Sequence, residues 1–137
     1  MNIVNPDKKY IVTNKTKHCC QYHVIFCSKY RRKVLVGAIV DRLKSLIYDM
    51  QSQKSFTILE IEVMPDHVHL LIDADPIVGI YHTVSYIKNT TSRELRKEFS
   101  VLTSKLPCLW TRSKFISTVG FVSLGAIKNY IQEQPKA

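Results

Sequence analysis

An alternating segment in the middle of the chain, residues 57–72, reads TILEIEVMPDHVHLLI, and its pattern determines which fold the chain can adopt. Successive side chains of a β-strand point to opposite faces. Leu59, Ile61 and Val63 are therefore expected on one face, with the two intervening glutamates on the other. Pro65 breaks the pattern as a turn residue does, and alternation resumes after it. The segment predicts a β-hairpin with one buried face.

Upstream of this hairpin, the sequence predicts one strand and one helix. The run at positions 20–27 is rich in aromatic and β-branched residues, which suits a buried strand. A helix is expected next, because apolar residues recur at three- and four-residue spacing and form one stripe: Ile39, Leu43, Leu46, Ile47 and Met50. Residues 1–19 are polar and are expected to form an N-terminal arm or an irregular lead-in strand.

Downstream of the hairpin, the sequence predicts a helix, a strand and a last helix. Asp75 and Pro76 are typical of a helix start, an N-cap followed by proline in the first turn. Residues 114–119 predict a strand, and the final helix is expected at 123–134 with Ser123 as its N-cap. The apolar stripe of the first of these helices comprises Ile77, Ile80, Val84, Ile87, Thr91 and Leu95.

This order of elements predicts an α+β fold of the ferredoxin-like or RRM-like type. Its βαββαβ antiparallel sheet would be followed by an added C-terminal helix that carries Tyr130. The length of 137 residues is that of one domain, so we expect a single domain at 1–137. No apolar run is long enough for a membrane span or a signal peptide, and a cytoplasmic protein is expected. The spacing of the four cysteines predicts free thiols.

The charge balance indicates a polyanionic partner. Lysine and arginine number 20 against 11 acidic residues, which gives a formal net charge of +9. Such an excess attracts nucleic acid, although a basic surface that serves only solubility is the alternative. The basic residues fall into groups, of which the candidate DNA-binding residues are Lys29, Arg31, Arg32, Lys33, Lys88, Arg93 and Arg96, with a further group at Lys105, Arg112 and Lys114.

His67 and His69 are the first candidate site. Residues two apart in a strand project from the same face, so both imidazoles could hold one divalent cation. The spacing alone also fits ordinary surface residues. The position directly after a turn and the basic surroundings favour the metal site, with Glu60 or Glu62 orienting a histidine from outside. His23, in an apolar strand, is expected to be a core histidine with its hydrogen bonds satisfied.

The final helix holds the second candidate. Tyr130 and Gln134 are four residues apart and so share a helical face. The spacing fits a tyrosine at the rim of a packed helix, and it also fits a phenolic nucleophile. A tyrosine that attacks a phosphodiester conserves the bond energy as a phosphotyrosine ester, so the strand could be rejoined without ATP.

Blocks distributed over residues 18–134 resemble one known family, and they occur in its order: YHVIFCSKYRRK at 22–33, PDHVHLL at 65–71, LWT at 109–111, FISTVG at 115–120 and KNYIQEQ at 128–134. They resemble the single-tyrosine HUH transposases (TnpA type) of the smallest bacterial and archaeal insertion sequences. One feature departs from that family. Phe121 stands where the family often has the second glycine of a pair that lets the tyrosine helix swing.

The resemblance implies roles for individual residues. His67 and His69 would bind Mg²⁺ or Mn²⁺, Gln134 would supply a further ligand, and Tyr130 would be the nucleophile. It also implies a nucleoid-associated homodimer with shared active sites, in which the tyrosine helix of one subunit completes the histidine site of the other. The substrate would be single-stranded DNA at hairpins of the element ends, cut to a 5′-phosphotyrosine and a free 3′-OH.

Two other functions fit the same residues. A non-catalytic nucleic-acid-binding module on a similar sheet would use its aromatic side chains to stack on bases. A related HUH nuclease, such as a plasmid replication initiator, would use the same chemistry for replication, although the short chain with no helicase domain argues against it.

Overall fold

The computed structural model describes residues 11–13, 16–119 and 124–136. Its strands are β1 (Ile11–Thr13), β2 (Thr16–His18), β3 (Gln21–Cys27), β4 (Thr57–Met64), β5 (His67–Asp73) and β6 (Phe115–Thr118). Its helices are α1 (Ala38–Lys54), α2 (Ile80–Glu98), the short α3 (Val101–Ser104) and α4 (Leu124–Glu133). Ser123, Gly120 and Phe121 lie outside the described residues.

The main sheet has the strand order β4-β5-β3-β6, and every neighbouring pair is antiparallel. With α1 after β3 and α2 after the β4–β5 hairpin, this is the βαββαβ arrangement of the ferredoxin-like fold, so the predicted fold class is confirmed. In the region expected to be an N-terminal arm or an irregular lead-in strand, β1 and β2 pair as a separate two-stranded antiparallel sheet.

One face of the sheet forms the core against α1 and α2. Val68, Leu70 and Ile72 of β5 are fully buried there, together with Val24 and Phe26 of β3. The predicted stripe of α1 is buried in the same cluster. Each such aliphatic side chain contributes about 1.5–3 kcal/mol on burial, so this face fixes the register of the strands.

The opposite face of the sheet carries the histidines. His67 pairs with Cys27 and His69 pairs with Ile25 across the β5–β3 ladder. Directly opposite residues in an antiparallel pair project to the same side. The imidazoles therefore share the face that is turned away from α1 and α2.

Among the described residues, no helix is both long and apolar enough to cross a membrane. All four cysteines are free thiols, as their spacing predicted.

Two details of the sequence-based prediction were wrong. The β4–β5 register shifts between Ile58 and Glu60, so Leu59 falls in a bulge. A bulge inserts an extra residue and changes which side chains face inward. Leu59 is 43% exposed, whereas Ile58 is only 9% exposed and joins the core.

The start of α2 also differs from the prediction. Asp75 does not cap a helix: its carboxylate accepts a hydrogen bond from the backbone N–H of Ile77 at 2.8 Å, closing a turn. Gly79 then adopts a φ of 83°, which interrupts helical geometry, and α2 begins only at Ile80. Ile77, predicted to belong to the apolar stripe, is 68% exposed.

Trp110 holds the segment between α3 and β6 against the core. Its ring meets Phe26 edge-on at 4.7 Å between centroids, and its indole N–H donates to the Thr91 hydroxyl at 3.0 Å. The neighbouring backbone is tied to β3, because the N–H of Thr111 donates to the carbonyl of Cys27 at 2.9 Å. This segment leads directly to the residues that contact Tyr130.

The bulge can be tested with two neighbouring substitutions. We expect Ile58→Ala to lower the free energy of unfolding by about 2–4 kcal/mol, since it leaves a cavity in the core. Leu59→Ala should change it by less than about 0.5 kcal/mol, because the side chain is exposed. Denaturant unfolding of both variants measures the difference, and a larger loss for Leu59→Ala would show that the strand has the unbulged register.

Candidate functional site

His67 is the first residue of β5 and follows the turn at Pro65 and Asp66. Its Nδ1 lies 2.8 Å from Oδ1 of Asp66. The other oxygen of the same carboxylate accepts hydrogen bonds from the Arg31 guanidinium, at 3.3 Å from Nη2 and 3.4 Å from Nε. Burial alone would raise the pKa of Asp66, but the hydrogen bonds and charges of His67 and Arg31 outweigh burial and lower the pKa. An ionised Asp66 keeps the proton of His67 on Nδ1, and Nε2 is then the nitrogen with a lone pair.

His69 has a histidine as its partner. Its Nε2 lies 3.0 Å from Nδ1 of His23, and the two rings stack with centroids 5.2 Å apart. Burial lowers the pKa of His69, and the nearby His23 lowers it further, against opposing effects of Glu62 and Glu60. The imidazole of His69 is therefore held in its neutral form, which is the form that binds metals.

The surroundings of the histidine pair differ from those predicted. His23, expected in the core, lies on the histidine face and contacts His69 directly. The period-two pattern contained this signal, because Val24 and Phe26 are the core residues of β3 and the residues between them must face the other way. Among the described hydrogen bonds, the carboxylates of Glu60 and Glu62 make none to either imidazole, and Asp66 and His23 take the orienting role instead.

Tyr130 lies on the same face of the sheet as the imidazoles. Its ring packs against Phe115 of β6, with centroids 5.5 Å apart and the planes tilted by 51°. Phe115 pairs with Ile25, which in turn pairs with His69, so these three residues form one row across the strands. Two strand spacings separate the ends of that row, about 10 Å. Among the described contacts, none joins the phenol to His67 or His69.

Ser113 connects the phenol to Gln134. Its hydroxyl lies 3.0 Å from the Tyr130 hydroxyl and donates to Oε1 of Gln134 at 2.7 Å. Gln134 is buried, and its Nε2 donates to the backbone carbonyl of Tyr130 at 3.1 Å. Burial raises the pKa of Tyr130, and the hydrogen bond with Ser113 partly offsets this. The sequence carried no signal for Ser113, since its partners are 17 and 21 residues away.

The imidazoles of His67 and His69 share one face and could both offer a nitrogen to a divalent cation. Gln134, predicted as a further ligand, follows the end of α4, and among the described contacts its amide touches Ser113 and the Tyr130 carbonyl and neither imidazole. Among the described residues, no cluster of three or more histidine, cysteine or acidic side chains could hold a metal ion, so a closed structural site is not formed there. An imidazole whose second nitrogen is held by a carboxylate, as in His67 with Asp66, is typical of a metal ligand.

The predicted DNA-binding residues have different surroundings. Arg32, Lys33 and Arg93 are exposed, and Lys29 is half-buried beside Tyr30. The remaining three already use their charges within the fold. Arg31 binds Asp66, and Arg96 donates to the carbonyls of Leu106 and Pro107 at 3.1 and 3.2 Å. Lys88 is buried, with Nζ 2.6 Å from the carbonyl of Thr111. That these residues bind DNA stays a prediction.

A basic groove runs along α2 beside the segment that precedes β6. One cavity of about 410 Å³ lies between α2 and residues 108–114, and Arg112 and Lys114 contribute its positive charge. A second cavity of about 380 Å³ continues it along α2, where Arg93, Arg96 and Lys97 line the surface. Asn89 and Ser92 line both cavities, so the two lie side by side along α2.

Comparison with known proteins gives consistent matches. The family model described as "Transposase IS200 like" matches residues 16–134. The ISDra2 transposase TnpA of Deinococcus radiodurans is 39% identical over 116 residues, which cover 83% of this chain and 83% of the relative. The transposase for insertion sequence element IS200 of Salmonella typhimurium is 31% identical over 121 residues, covering 87% of this chain and 79% of the relative.

Two solved structures share the fold. The crystal structure of a candidate transposase from Deinococcus radiodurans R1 matches over 100% of both chains, with a TM-score of 0.79 and 31% sequence identity. A REP-associated tyrosine transposase bound to a REP hairpin matches 96% of this chain and 68% of its own, with a TM-score of 0.51. At 16% identity, the second match shows similarity of fold alone.

Proposed function

The chain belongs to the IS200-like transposase family, and from this premise we propose that it cuts and rejoins single-stranded DNA with a cation at His67 and His69 and with Tyr130 as the nucleophile. One observation carries the proposal: two oriented imidazoles and a half-buried phenol lie on the same face of the sheet. A strand of DNA laid across that face would meet both kinds of group.

The cation would be Mg²⁺ or Mn²⁺, held by His67, His69 and the amide oxygen of Gln134. When bound, it would withdraw charge from the scissile phosphate and from the leaving oxygen. Asp66 and His23 would keep the two imidazoles in place, because each lies within hydrogen-bond distance of one ring. The low pKa of His69 supports this assignment, since a neutral ring can bind a cation at neutral pH without first losing a proton.

The phenol of Tyr130 would carry the covalent step. Its oxygen attacks the phosphorus, the bond from phosphorus to the 3′-oxygen breaks, and a 5′-phosphotyrosine and a free 3′-OH result. The reverse attack by a 3′-OH rejoins the strand and restores the phenol. The ordinary pKa of a tyrosine is about 10 and burial raises that of Tyr130, so the phenol is protonated at neutral pH. It must therefore lose its proton as the new bond forms, and the departing 3′-oxygen takes one up.

We further propose a homodimer with shared sites that acts on DNA hairpins. Tyr130 packs on Phe115, which lies two strand spacings, about 10 Å, across the sheet from His69. Among the described contacts, none joins the phenol to an imidazole of its own chain. A tyrosine helix supplied by a partner subunit could come closer. A hairpin substrate is suggested by the REP-associated transposase of similar fold, whose structure was solved bound to a REP hairpin. The basic groove along α2 would bind the phosphate backbone of such a hairpin.

The nucleophile can be tested with single-stranded oligonucleotides that cover the DNA flanking the gene. We expect wild-type protein with Mn²⁺ to become covalently attached to the 5′ end of the downstream fragment, as seen by denaturing gel electrophoresis. Tyr130→Phe should lower adduct formation at least about 1,000-fold, because it removes the attacking oxygen. Tyr48→Phe, the same change at an exposed position in α1, is the matched control and should behave like wild type.

An adduct that persists in Tyr130→Phe would contradict the assignment of the nucleophile. Binding of the strands without metal-dependent cleavage by the wild type would favour a non-catalytic module.

The shared sites can be tested by mixing the Tyr130→Phe and His67→Ala variants, each of which should be inactive alone. Cleavage should return in the mixture, and if it does not, each subunit uses its own tyrosine.

The basic groove can be tested through salt dependence. Arg112→Gln removes one exposed charge from the groove, so we expect weaker hairpin binding. The logarithm of the association constant should also fall less steeply with the logarithm of salt concentration, by about one unit of slope. Lys44→Gln in α1 removes the same charge from a position that lines neither cavity, and its slope should be unchanged. Filter binding at several salt concentrations measures both, and equal slopes for the two variants would exclude the groove as the binding surface.

A further inference from the structure

We infer that Ser113 is a positioning residue that holds the phenol of Tyr130 and the amide of Gln134 as one preassembled unit. The inference rests on the proposed function, in which these two side chains supply the nucleophile and a metal ligand. Ser113 lies outside the tyrosine helix, two residues before β6, and it contacts both side chains at hydrogen-bond distance.

The hydrogen bonds form a chain with a fixed direction. Nε2 of Gln134 donates to the backbone carbonyl of Tyr130 at 3.1 Å, so Oε1 is the amide atom that faces Ser113. The serine hydroxyl has a single proton, and it donates this proton to Oε1 at 2.7 Å. The 3.0 Å contact with Tyr130 must then be a hydrogen bond that the phenol donates to Ser113. Each of the three side chains is thereby oriented by another.

The backbone that carries Ser113 is held firmly. Nζ of the buried Lys88 donates to the carbonyls of Thr111 at 2.6 Å and Ser113 at 3.1 Å, with a longer contact of 3.5 Å to the carbonyl of Arg112. Burial lowers the pKa of Lys88 to about 8, and the nearby charge of Lys114 contributes to the shift. Trp110, packed on Phe26, holds the same segment from its other end. Ser113 is an exposed residue, but Lys88 and Trp110, which hold its segment, are both buried.

These hydrogen bonds leave lone pairs unused on both reactive oxygens. An amide oxygen has two lone pairs, so Oε1 of Gln134 can accept from Ser113 and still bind a cation. The phenolic oxygen of Tyr130 donates its proton to Ser113 and keeps its lone pairs for attack. Phe115 packs against the Tyr130 ring from the sheet and restricts how far that ring can move. Holding the nucleophile and the ligand in one geometry before the substrate binds avoids an entropic cost during the reaction, and misplacement by about 1 Å can cost about 100-fold in rate.

The inference is tested with Ser113→Ala, Ser113→Thr and a matched control, Ser52→Ala, which removes a hydroxyl from α1. The rate constant of adduct formation is measured with saturating amounts of the oligonucleotide that the wild type cuts, and binding is measured by mobility shift. Ser113→Ala should slow adduct formation at least about tenfold with oligonucleotide affinity unchanged. Ser113→Thr retains the hydroxyl and should stay within about threefold of the wild type, and Ser52→Ala should match it.

Hydrogen exchange supplies a readout that does not depend on activity. In Ser113→Ala, backbone amides of α4 should exchange about three to ten times faster, since two hydrogen bonds that hold the helix are lost, and Ser113→Thr should restore the wild-type rate. Unchanged adduct formation or unchanged exchange in Ser113→Ala would overturn the inference. A wild type that forms no adduct would instead overturn the proposed function, and exchange alone would then decide whether Ser113 holds Tyr130.

Discussion

The two-sided character of β5 is the constraint on which the rest of the structure depends. Val68, Leu70 and Ile72 are fully buried against the helices, and the alternation of the strand then forces His67 and His69 to the opposite face. A slip of one residue would bury both imidazoles and expose three aliphatic side chains, which would cost several kcal/mol. The stability of the core therefore fixes the geometry of the histidine pair.

Around this pair, the fold provides partners from three different elements. Asp66 comes from the hairpin turn and His23 from the neighbouring strand, and each orients one imidazole. The phenol of Tyr130 reaches the same face from the C-terminal helix, where it packs on Phe115. The chain belongs to the IS200-like transposase family, and this face of the sheet carries the groups that the proposed strand cleavage would use.

Much of the fold could be predicted, because hydrophobic periodicity identifies strands and helices directly. Errors arose where one residue changed the local geometry: the bulge at Leu59 and the turn that Asp75 closes before α2. Spacing identified His67, His69 and Tyr130 as candidates but left their roles open, and the resemblance supplied those roles together with Gln134 as a ligand. His23 was misplaced although alternation contained the signal, and Ser113 could not be found, since its contacts join segments distant in sequence.

The most direct test of the central claim is paramagnetic broadening by Mn²⁺ in the NMR spectrum of the metal-free wild-type protein. A cation held between the two imidazoles should broaden the ring signals of His67 and His69 first at substoichiometric Mn²⁺, followed by those of Tyr130. The methyl signals of Leu46, behind the sheet on α1, should broaden least. Broadening centred elsewhere, or a Tyr130 signal that stays as sharp as that of Leu46, would contradict the account.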